Sequence, residues 1–485
     1  MRKQLFFLTS LLFIALLGWQ CSSSKERHIY IIATNDMHAT IDAMPKLATI
    51  VEKYDNRGEV IIVDSGDRVS GNAYVDDATH PGVPIIELMN EIGYSAATLG
   101  NHEFDKGSGA LDKMLQSASF PIVCANMEAH NGATTPPPYT ILERHGVEFG
   151  FVGIVDTDSG GRPLGGNSAY TNYTFTPDIE TAYEICEDAA TECDMVVLLS
   201  HMGLDRDREL AKLSPKCRWI AGGHTHDIVN EELNGVHISQ NNKNLRYVTI
   251  ADISVKGGEI TDIRYEQINT ADITPNEAML RRVEEIKALD PTLNEVVAVA
   301  TESATKEGVS NFTIAALANY PYPDGFSPEI TLYHYGGIRL DGLNKGDIKR
   351  VEILNNDPFM SYIYIGELTP KQLRDFIIRK YNNGTAEKPD KESHYPYFRS
   401  DMPYTIIVGE DGNATDVVFE LEERKYRVAM CNYIAENYID SEIVERELRP
   451  TNISVRDAML HHISSFKESG FTPDNKCYQQ EKKAK

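Results

Sequence analysis

The 485-residue sequence has few cysteines, no internal repeat and a shortage of positive charge. None of its seven cysteines forms a CxxC pair or a zinc-ribbon spacing, which excludes the usual thiolate zinc modules. Lysine and arginine number 47 against 72 acidic residues, so the formal net charge is −25. This charge argues against nucleic-acid polymers and anionic membrane surfaces as partners. A phosphorylated substrate would therefore need a concentrated local positive charge, most simply bound metal.

A long apolar run occurs at the N-terminus, from Leu5 to Trp19, directly after Arg2 and Lys3. The run is too short to span a bilayer comfortably, and it has the charged and apolar regions of a secretory signal. Cys21 follows, with a polar tether behind it, and this arrangement resembles a bacterial lipoprotein signal in which Cys21 is lipidated. The alternative is an ordinary signal peptide that is cut nearby. Both interpretations predict export, to the periplasm or, as a lipoprotein, to the outer membrane or cell surface.

The length and the pattern of buried segments predict two α/β domains. A chain of this length exceeds one ordinary core. Buried strands such as residues 29–35 and 60–64 alternate with helical stretches such as 44–54 and 83–92, and ligand sites in such folds lie at the carboxyl ends of the strands. The expected divisions are a leader (1–27), a first domain (28–270), a linker helix (271–291), a second α/β or α+β domain (292–470) and a polar tail (471–485).

Two further features are interpreted as structural. Residues 178–191 are predicted to be helical, and Cys186 and Cys193, seven positions apart, are expected to be small core residues on one face of that helix. The glycine-rich segment 159–166 is interpreted as a connector, because it lacks the strand–helix setting of a phosphate-binding loop.

Polar side chains with metal-binding chemistry follow the predicted strands of the first domain. A lone histidine is more often structural than a ligand, but a parallel sheet brings successive strand ends together in space. We therefore predict a metal site at this edge of the sheet. The residues are Asp36, His38, Asp67, Asn101, His102, His201, His224 and His226.

The size of this set favours two metal ions over one. A single zinc ion takes about four ligands, whereas the set offers seven when His102 is left out. Asp67 is the natural bridge, because a carboxylate can present one oxygen to each ion. Two ions roughly 3.5–4 Å apart can clamp the oxygens of an in-line phosphoryl displacement. The predicted ligand set contains no thiolate. Its oxygen and nitrogen donors suit zinc, manganese or a similar divalent ion, and they do not identify which of these binds.

The same residues form motifs that resemble those of the calcineurin-like metallophosphoesterases. The motifs are Asp36-x-His38, Gly66-Asp67, Gly100-Asn101-His102-Glu103, the His201 motif and Gly223-His224-x-His226. Segments 34–38, 100–105 and 199–203 are similar to the bacterial 5′-nucleotidase and UDP-sugar hydrolase branch, as are, more weakly, 336–339, 357–359 and 400–404. The resemblance covers roughly residues 28–465. It implies a four-layer α/β-β/α domain followed by a smaller α/β 5′-nucleotidase C-terminal domain.

The resemblance also implies roles for the residues of the first domain. Two divalent metal ions would be held, the first by Asp36, His38, Asp67 and His226, and the second by Asp67, Asn101, His201 and His224. His102 would stabilise charge on the phosphoryl oxygens or on the leaving group, and Asp105 would fix the orientation of its imidazole.

In the second domain, the resemblance assigns Arg339 to the polar groups of a nucleoside and Phe359 and Tyr433 to the two faces of its base. Ordinary core packing is the alternative interpretation of both rings. The sequence also departs from the family, because segment 310–315 lacks a further arginine that often binds substrate there. His334 and Tyr335 replace an Asn-Gly pair, and segment 436–440 replaces a glycine-rich loop.

The function that the resemblance implies is hydrolysis of nucleoside 5′-monophosphates by an exported, lipid-anchored enzyme. UDP-sugars, nucleoside diphosphates and 2′,3′-cyclic nucleotides remain open as substrates. Two alternatives also remain, a metallophosphoesterase for a non-nucleotide substrate and a surface lipoprotein that binds nucleotides without turning them over.

Overall fold

The computed structural model describes residues 25–157, 160–165, 167–387 and 398–483. The predicted export signal and Cys21 lie outside these residues, as does part of the glycine-rich segment 159–166. In the described part of the chain, no helix combines the length and the apolar character needed to cross a membrane.

Fourteen strands and seven α-helices form the N-terminal unit among the described residues. The strands are β1 (Arg27–Thr34), β2 (Glu59–Asp64), β3 (Ala96–Thr98), β4 (Ile122–Val123), β5 (Met127–Ala129), β6 (Tyr139–Arg144), β7 (Val147–Val155), β8 (Tyr173–Phe175), β9 (Met195–His201), β10 (Trp219–Ala221), β11 (Ile228–Leu233), β12 (Val236–Asn241), β13 (Tyr247–Lys256) and β14 (Glu259–Asn269). The helices are α1 (Met44–Asp55), α2 (Ala73–Asp76), α3 (Val83–Ile92), α4 (Ser108–Ser117), α5 (Asp178–Ala189), α6 (Leu204–Lys212) and α7 (Glu277–Lys287).

Two six-stranded sheets pack face to face in this unit. The first has the order β14-β13-β1-β2-β3-β4 and the second the order β11-β12-β10-β9-β7-β6. Strands β1 to β4 of the first sheet are parallel to one another, as are β7, β9, β10 and β12 of the second. Antiparallel strands β13 and β14 complete the first sheet beside β1, while β4 is its other edge, and antiparallel strands β11 and β6 form the two edges of the second. Parallel strands place their carboxyl ends along one edge, which is where the predicted ligands lie.

Helices cover the outer face of each sheet. Between the sheets, Ile31 and Val63 pack with Phe151 and Leu199. Helices α1, α3, α4 and α7 bury apolar side chains against the first sheet, and α5 and α6 bury theirs against the second. The result is the helix–sheet–sheet–helix arrangement that the resemblance implies, so the predicted four-layer fold is confirmed.

Twelve strands and six α-helices form the C-terminal unit among the described residues. The strands are β15 (Val296–Ala300), β16 (Ala304–Thr305), β17 (Ile330–His334), β18 (Gly342–Leu343), β19 (Gly346–Lys349), β20 (Tyr362–Leu368), β21 (Phe398–Ser400), β22 (Tyr404–Val408), β23 (Ala414–Val418), β24 (Tyr426–Cys431), β25 (Leu448–Ser454) and β26 (Gln479–Lys483). The helices are α8 (Lys306–Ala318), α9 (Arg350–Asn355), α10 (Pro370–Glu387), α11 (Asn432–Tyr438), α12 (Ser441–Glu447) and α13 (Val455–Ser464).

The C-terminal unit has its own mixed α/β core. Its main sheet has the order β21-β17-β24-β20-β25, and a smaller sheet has the order β23-β22-β26. Helices α8, α10 and α13 pack apolar side chains such as Phe312, Phe376 and Met459 into one cluster with these strands.

Two expectations from the sequence need correction. Residues 471–483 of the predicted polar tail belong to the C-terminal unit, because Phe471 is buried in its core and β26 pairs with β22 in parallel. Alternation of polar and apolar residues is weak in β26, which hides it from sequence inspection. Cys186 is buried on α5 as expected, but that helix ends at Ala189 and Cys193 lies beyond it, only partly buried.

The two units touch close to the predicted metal site. Ala73 on α2 packs with Leu293, Val351 and Leu354 of the C-terminal side. The backbone N–H of Ala73 donates to Asn355 Oδ1 over 2.7 Å. Because α2 follows the loop that carries Asp67, this contact brings the C-terminal unit to the edge of the sheet where the ligands lie.

Candidate metal centre

The predicted ligands lie at the carboxyl ends of five parallel strands, six of them in the loops that follow and His201 as the last residue of β9. Loops after β1, β2 and β3 carry residues of the first sheet, and β9 and β10 deliver those of the second. Adjacent loops are tied together by their backbones, since the N–H of Asp36 donates to Gly66 O over 3.0 Å and the N–H of His38 donates to Asp67 O over 2.9 Å. All seven predicted ligands are thereby brought into one region.

Five of these residues have a left-handed backbone, which is uncommon for any residue other than glycine. Such conformations persist where the surrounding structure imposes them, and they concentrate at functional sites. The φ values are +48° for Asp36, +45° for His38, +54° for Asp67, +77° for His224 and +57° for His226.

The first group of donors consists of Asp36, His38 and His226. The two imidazole Nε2 atoms are 3.0 Å apart. Oδ1 of Asp36 lies 3.3 Å from Nε2 of His226 and 3.9 Å from Nε2 of His38. One oxygen and two nitrogens therefore face a common point, as ligands of one ion must.

The second group consists of Asp67, His201 and His224, with Asn101 beside them. Nε2 of His201 lies 3.1 Å from Asp67 Oδ2, and His224 Nδ1 lies 3.1 Å from Asn101 Oδ1. The buried Nε2 of His201 has no hydrogen-bond partner despite this approach. A carboxylate oxygen and an imidazole nitrogen held this close together can bind the same cation.

Hydrogen bonds from the surroundings orient the ligands. Nδ1 of His201 donates to the backbone oxygen of Ser65 over 2.7 Å, which leaves Nε2 for a ligand. The hydroxyl of Ser65 donates to Ala221 O over 2.7 Å and joins the two sheets at this point. The N–H of His224 donates to Oδ2 of Asp36 over 3.0 Å.

Glu103 organises the loops although the sequence did not single it out. Its fully buried carboxylate accepts from the N–H groups of Asp67 and Arg68, both over 2.9 Å, and of Gly100 over 2.6 Å. It thereby fixes the Asp67 loop against the Asn101 loop. The motif placed Glu103 beside the ligands, but only the structure gives it these three partners.

Glycine is required where the loops cross. A Cβ on Gly100 would lie 2.2 Å from Asp67 Oδ1, and one on Gly223 would lie 2.9 Å from His201 Nδ1 and 3.0 Å from Asp36 Oδ2. Either side chain would displace a donor, so both glycines permit the close approach of the ligand loops.

His102 lies between Asp67 and Asp105. Its Nδ1 is 2.8 Å from Asp105 Oδ2, its Nε2 is 3.8 Å from Asp67 Oδ2, and its N–H donates to Asp67 Oδ1 over 2.9 Å. The hydroxyl of Ser70 donates to Asp105 over 2.6 Å and holds that carboxylate in place. Burial opposes protonation of His102, but the carboxylates of Asp67 and Asp105 outweigh it and raise its pKa to about 9.

The electrostatics of the buried donors fit a cation site. Burial opposes ionisation of Asp67, but His201 and His102 outweigh it and hold its pKa well below the usual range. Burial and the neighbouring His201 lower the pKa of His224 to about 4. Burial also keeps the pKa of His38 well below its ordinary value. Burial opposes protonation of His201 as well, but the carboxylates of Asp67 and Asp36 outweigh it and hold its pKa well above the ordinary value. This imidazole would therefore lose its proton when a metal ion binds, because neutral imidazole and ionised carboxylate are the forms that bind metal.

The C-terminal unit reaches this centre through Phe359 and Arg339. The ring of Phe359 stacks on His102 with centroids 5.4 Å apart, and the Arg339 guanidinium lies 5.4 Å from the centre of the Phe359 ring. Tyr433 is partly buried, with its ring 4.5 Å from that of His334 and 5.7 Å from that of Tyr438.

Each of the two units matches a known protein family. Residues 29–227 match the family described as calcineurin-like phosphoesterase, and residues 289–441 match the family described as 5′-nucleotidase, C-terminal domain. A crystal structure of a 5′-nucleotidase precursor from Thermus thermophilus superimposes with a TM-score of 0.77 at 19% identity, over 94% of this chain and 99% of that one. This likeness bears on the fold alone.

Two curated relatives align along most of the chain. The trifunctional nucleotide phosphoesterase protein YfkN of Bacillus subtilis is 26% identical over 468 residues, and protein UshA of Escherichia coli is 22% identical over 480 residues. The YfkN alignment covers 83% of this chain and 31% of YfkN. The UshA alignment covers 82% of this chain and 85% of UshA. This chain thus spans 31% of the length of YfkN, about a third.

Proposed function

Because the chain belongs to the calcineurin-like phosphoesterases that carry a 5′-nucleotidase C-terminal domain, we propose that it hydrolyses phosphoesters at a dinuclear metal centre. Nucleoside 5′-monophosphates are the proposed main substrates. The observation that carries the proposal is the convergence of two donor groups, one around Asp36 and one around Asp67, at the ends of parallel strands. The name of the relative YfkN, a nucleotide phosphoesterase, supports a nucleotide substrate.

Each ion of the proposed pair would have its own ligands. Asp36, His38 and His226 would hold one ion, His201, His224 and Asn101 would hold the other, and Asp67 would bridge them. When bound, the ions would supply Lewis-acid activation of water and neutralise the charge of the phosphoryl oxygens. The donors suit zinc or manganese equally.

His102 and Asp105 would serve the leaving group. Asp105 fixes the imidazole through Nδ1, so that Nε2 faces the centre beside Asp67. From there His102 can stabilise charge on the phosphoryl oxygens or donate a proton to the departing oxygen. The nucleoside would then extend from the centre toward the C-terminal unit, where Phe359 and Arg339 lie beside His102, with Tyr433 proposed for the other face of the base.

We also propose that the protein is exported and anchored by a lipid on Cys21. Labelling with a radioactive fatty acid tests this part separately. We expect label on the wild type and none on Cys21→Ala, and label that persists on the variant would refute the lipid anchor.

A substrate panel with Mn²⁺ or Zn²⁺ tests the activity. The panel contains 5′-AMP, a UDP-sugar, a 2′,3′-cyclic nucleotide and a sugar phosphate, and released phosphate or nucleoside is measured. The expected result is turnover of 5′-AMP that falls at least about 100-fold in His102→Ala, the loss typical of a missing acid–base group. Turnover of the sugar phosphate alone would favour a non-nucleotide substrate, and no turnover of any compound would refute the proposal.

A further inference from the structure

One oxygen of Asp105 makes two contacts at the edge of the metal centre. Oδ2 lies 2.8 Å from Nδ1 of His102, and the hydroxyl of Ser70 donates to the same oxygen over 2.6 Å. Ser70 is fully buried. Because both groups share one oxygen, a shift of Ser70 changes the position of the carboxylate and therefore the orientation of the imidazole.

The backbone of the Ser70 loop is strained. Ser70 has a φ of +64°, in the left-handed region that is uncommon for residues other than glycine. At the next residue, Gly71, a Cβ would overlap with the backbone oxygen of His38. A loop of this shape persists only where neighbouring groups impose it.

The buried carboxylate of Asp76 imposes this shape. It accepts from the N–H of Ser70 over 2.9 Å, and from the N–H groups of Gly71 and Asn72 over 2.7 and 2.8 Å. Three consecutive N–H groups therefore point at one carboxylate, and the backbone cannot rotate without losing these hydrogen bonds. Asp76 is neither a predicted metal ligand nor a predicted substrate contact, so the proposed function gives it no role.

Asp76 is the last residue of α2, the helix that the C-terminal unit contacts. The N–H of Ala73, the first residue of this helix, donates to Asn355 Oδ1. Asp77, directly after the helix, pairs with Arg456. A short path of hydrogen bonds thus runs from the C-terminal unit through α2 to the acid–base pair beside the metal centre.

We propose that Asp76 is a positioning residue for His102, and that it transmits the contact of the C-terminal unit to this imidazole. The inference rests on the proposed function, because His102 must serve the leaving group. Asp76 orders the Ser70 loop, Ser70 fixes Asp105, and Asp105 orients the ring. The contact between the units thereby determines how well the departing oxygen is assisted.

Leaving groups of different basicity test the inference. A ribose oxygen needs a proton or charge stabilisation to depart, whereas p-nitrophenolate departs readily without either. The ratio of kcat for 5′-AMP to kcat for p-nitrophenyl phosphate should fall about tenfold in Ser70→Ala and in Asp76→Asn, the effect of one hydrogen bond to a charged group. Ser119→Ala is the matched control and should keep the ratio, because this exposed hydroxyl donates to Asn90 Oδ1.

Metal content separates positioning from a general loss of structure. Ser70→Ala and Asp76→Asn should keep the metal content of the wild type, and a fall in the ratio that comes with lost metal would overturn the assignment. If Asp76→Asn does not fold, Ser70→Ala and Asn355→Ala carry the same test, because they act on the two sides of Asp76. Asn355→Ala removes the acceptor of the Ala73 N–H and should lower the ratio about fivefold, the effect of one neutral hydrogen bond. A wild-type ratio in Asn355→Ala would overturn the transmission from the C-terminal unit.

A double-mutant cycle identifies the residue through which Ser70 acts. In an Asp105→Asn background, Ser70→Ala should cause no further fall in the ratio, because the two substitutions remove the same positioning of the imidazole. A further tenfold fall would show that Ser70 acts by another route and would overturn the inference.

Hydrogen exchange of the Nδ1 proton of His102 separates this inference from the proposed function. In protein labelled with a nitrogen isotope at histidine, the signal of this proton is identified by its loss in His102→Asn. Its exchange should become about fivefold faster in Ser70→Ala and in Asp76→Asn. Unchanged exchange together with an unchanged ratio would overturn the inference while phosphoester hydrolysis stands. If no compound is hydrolysed, the proposed function fails, and the exchange rate alone decides whether Asp76 positions His102.

Discussion

The aromatic ring of Phe359 stacks on the imidazole of His102, with the ring centroids 5.4 Å apart and the planes inclined by 28°. The two residues belong to different units of the chain. A side chain of the C-terminal unit therefore lies directly beside the proposed metal centre, where it can contact the group attached to the scissile phosphate.

This contact predicts that Phe359→Leu separates nucleotide binding from phosphoester chemistry. Loss of a stacking ring costs about 1–3 kcal/mol per base, so KM for 5′-AMP should rise roughly tenfold. Hydrolysis of p-nitrophenyl phosphate, which needs only the metal centre, should change little. Steady-state kinetics on both substrates make the comparison, and an equal loss on both would show that Phe359 acts only as a packing residue.

An ion pair between the buried Arg456 and the partly exposed Asp77 holds Phe359 in place. Arg456 donates to both oxygens of Asp77 over 2.9 and 2.6 Å and, through Nε, to the backbone oxygen of Asp357 over 2.7 Å. The Arg456 side chain is only 7% exposed. Lys106 adds a hydrogen bond to Pro358 O over 3.4 Å. The segment before Phe359 is thus fixed to the N-terminal unit.

Arg456→Met should therefore loosen the interface between the units. The substitution removes the hydrogen bonds of the buried Arg456 to Asp77 and to the backbone oxygen of Asp357, whereas Asp77 is partly exposed and keeps Lys106 at 3.9 Å. We expect a loss of about 1–3 kcal/mol in the free energy of unfolding, measured in urea. KM for 5′-AMP should rise as well. The matched control is Arg449→Met, because Arg449 is 59% exposed and lies 3.8 Å from Asp324. Equal effects of the two substitutions would contradict this role of Arg456.

Glu103→Gln should weaken the loops that carry Asp67 and Asn101. The carboxylate accepts three backbone hydrogen bonds, whereas an amide offers one acceptor oxygen and buries an NH2 group among donors. The expected loss is about 1–3 kcal/mol of stability, together with weaker metal binding. Thermal unfolding with and without Zn²⁺ measures both effects. Glu128→Gln, at an exposed position on β5, is the control, and an equally stable Glu103 variant would count against the role.

The sequence predicts the sheets and the residues at the strand ends because both depend on local patterns. Buried apolar runs are followed closely by Asp36 and by Asp67. Because parallel strands place their carboxyl ends along one edge of a sheet, such residues are brought together. The partners of Glu103 and Arg456 could not be predicted, since each bonds to groups that are distant in the chain. The strand Gln479–Lys483 was not predicted for a different reason. Its composition is polar, and it forms a strand because it pairs with β22.

The central claim is that Asp67 joins two metal ions in one hydrolytic centre. The most direct measurement is metal content by mass spectrometry, with phosphate release from 5′-AMP assayed on the same samples, for the wild type, Asp67→Asn and the exposed control Asp262→Asn. We expect two divalent ions per chain in the wild type and the control, and loss of metal with at least a roughly 1,000-fold fall in turnover for Asp67→Asn. An Asp67→Asn protein that keeps two ions and near-normal turnover would contradict the central claim.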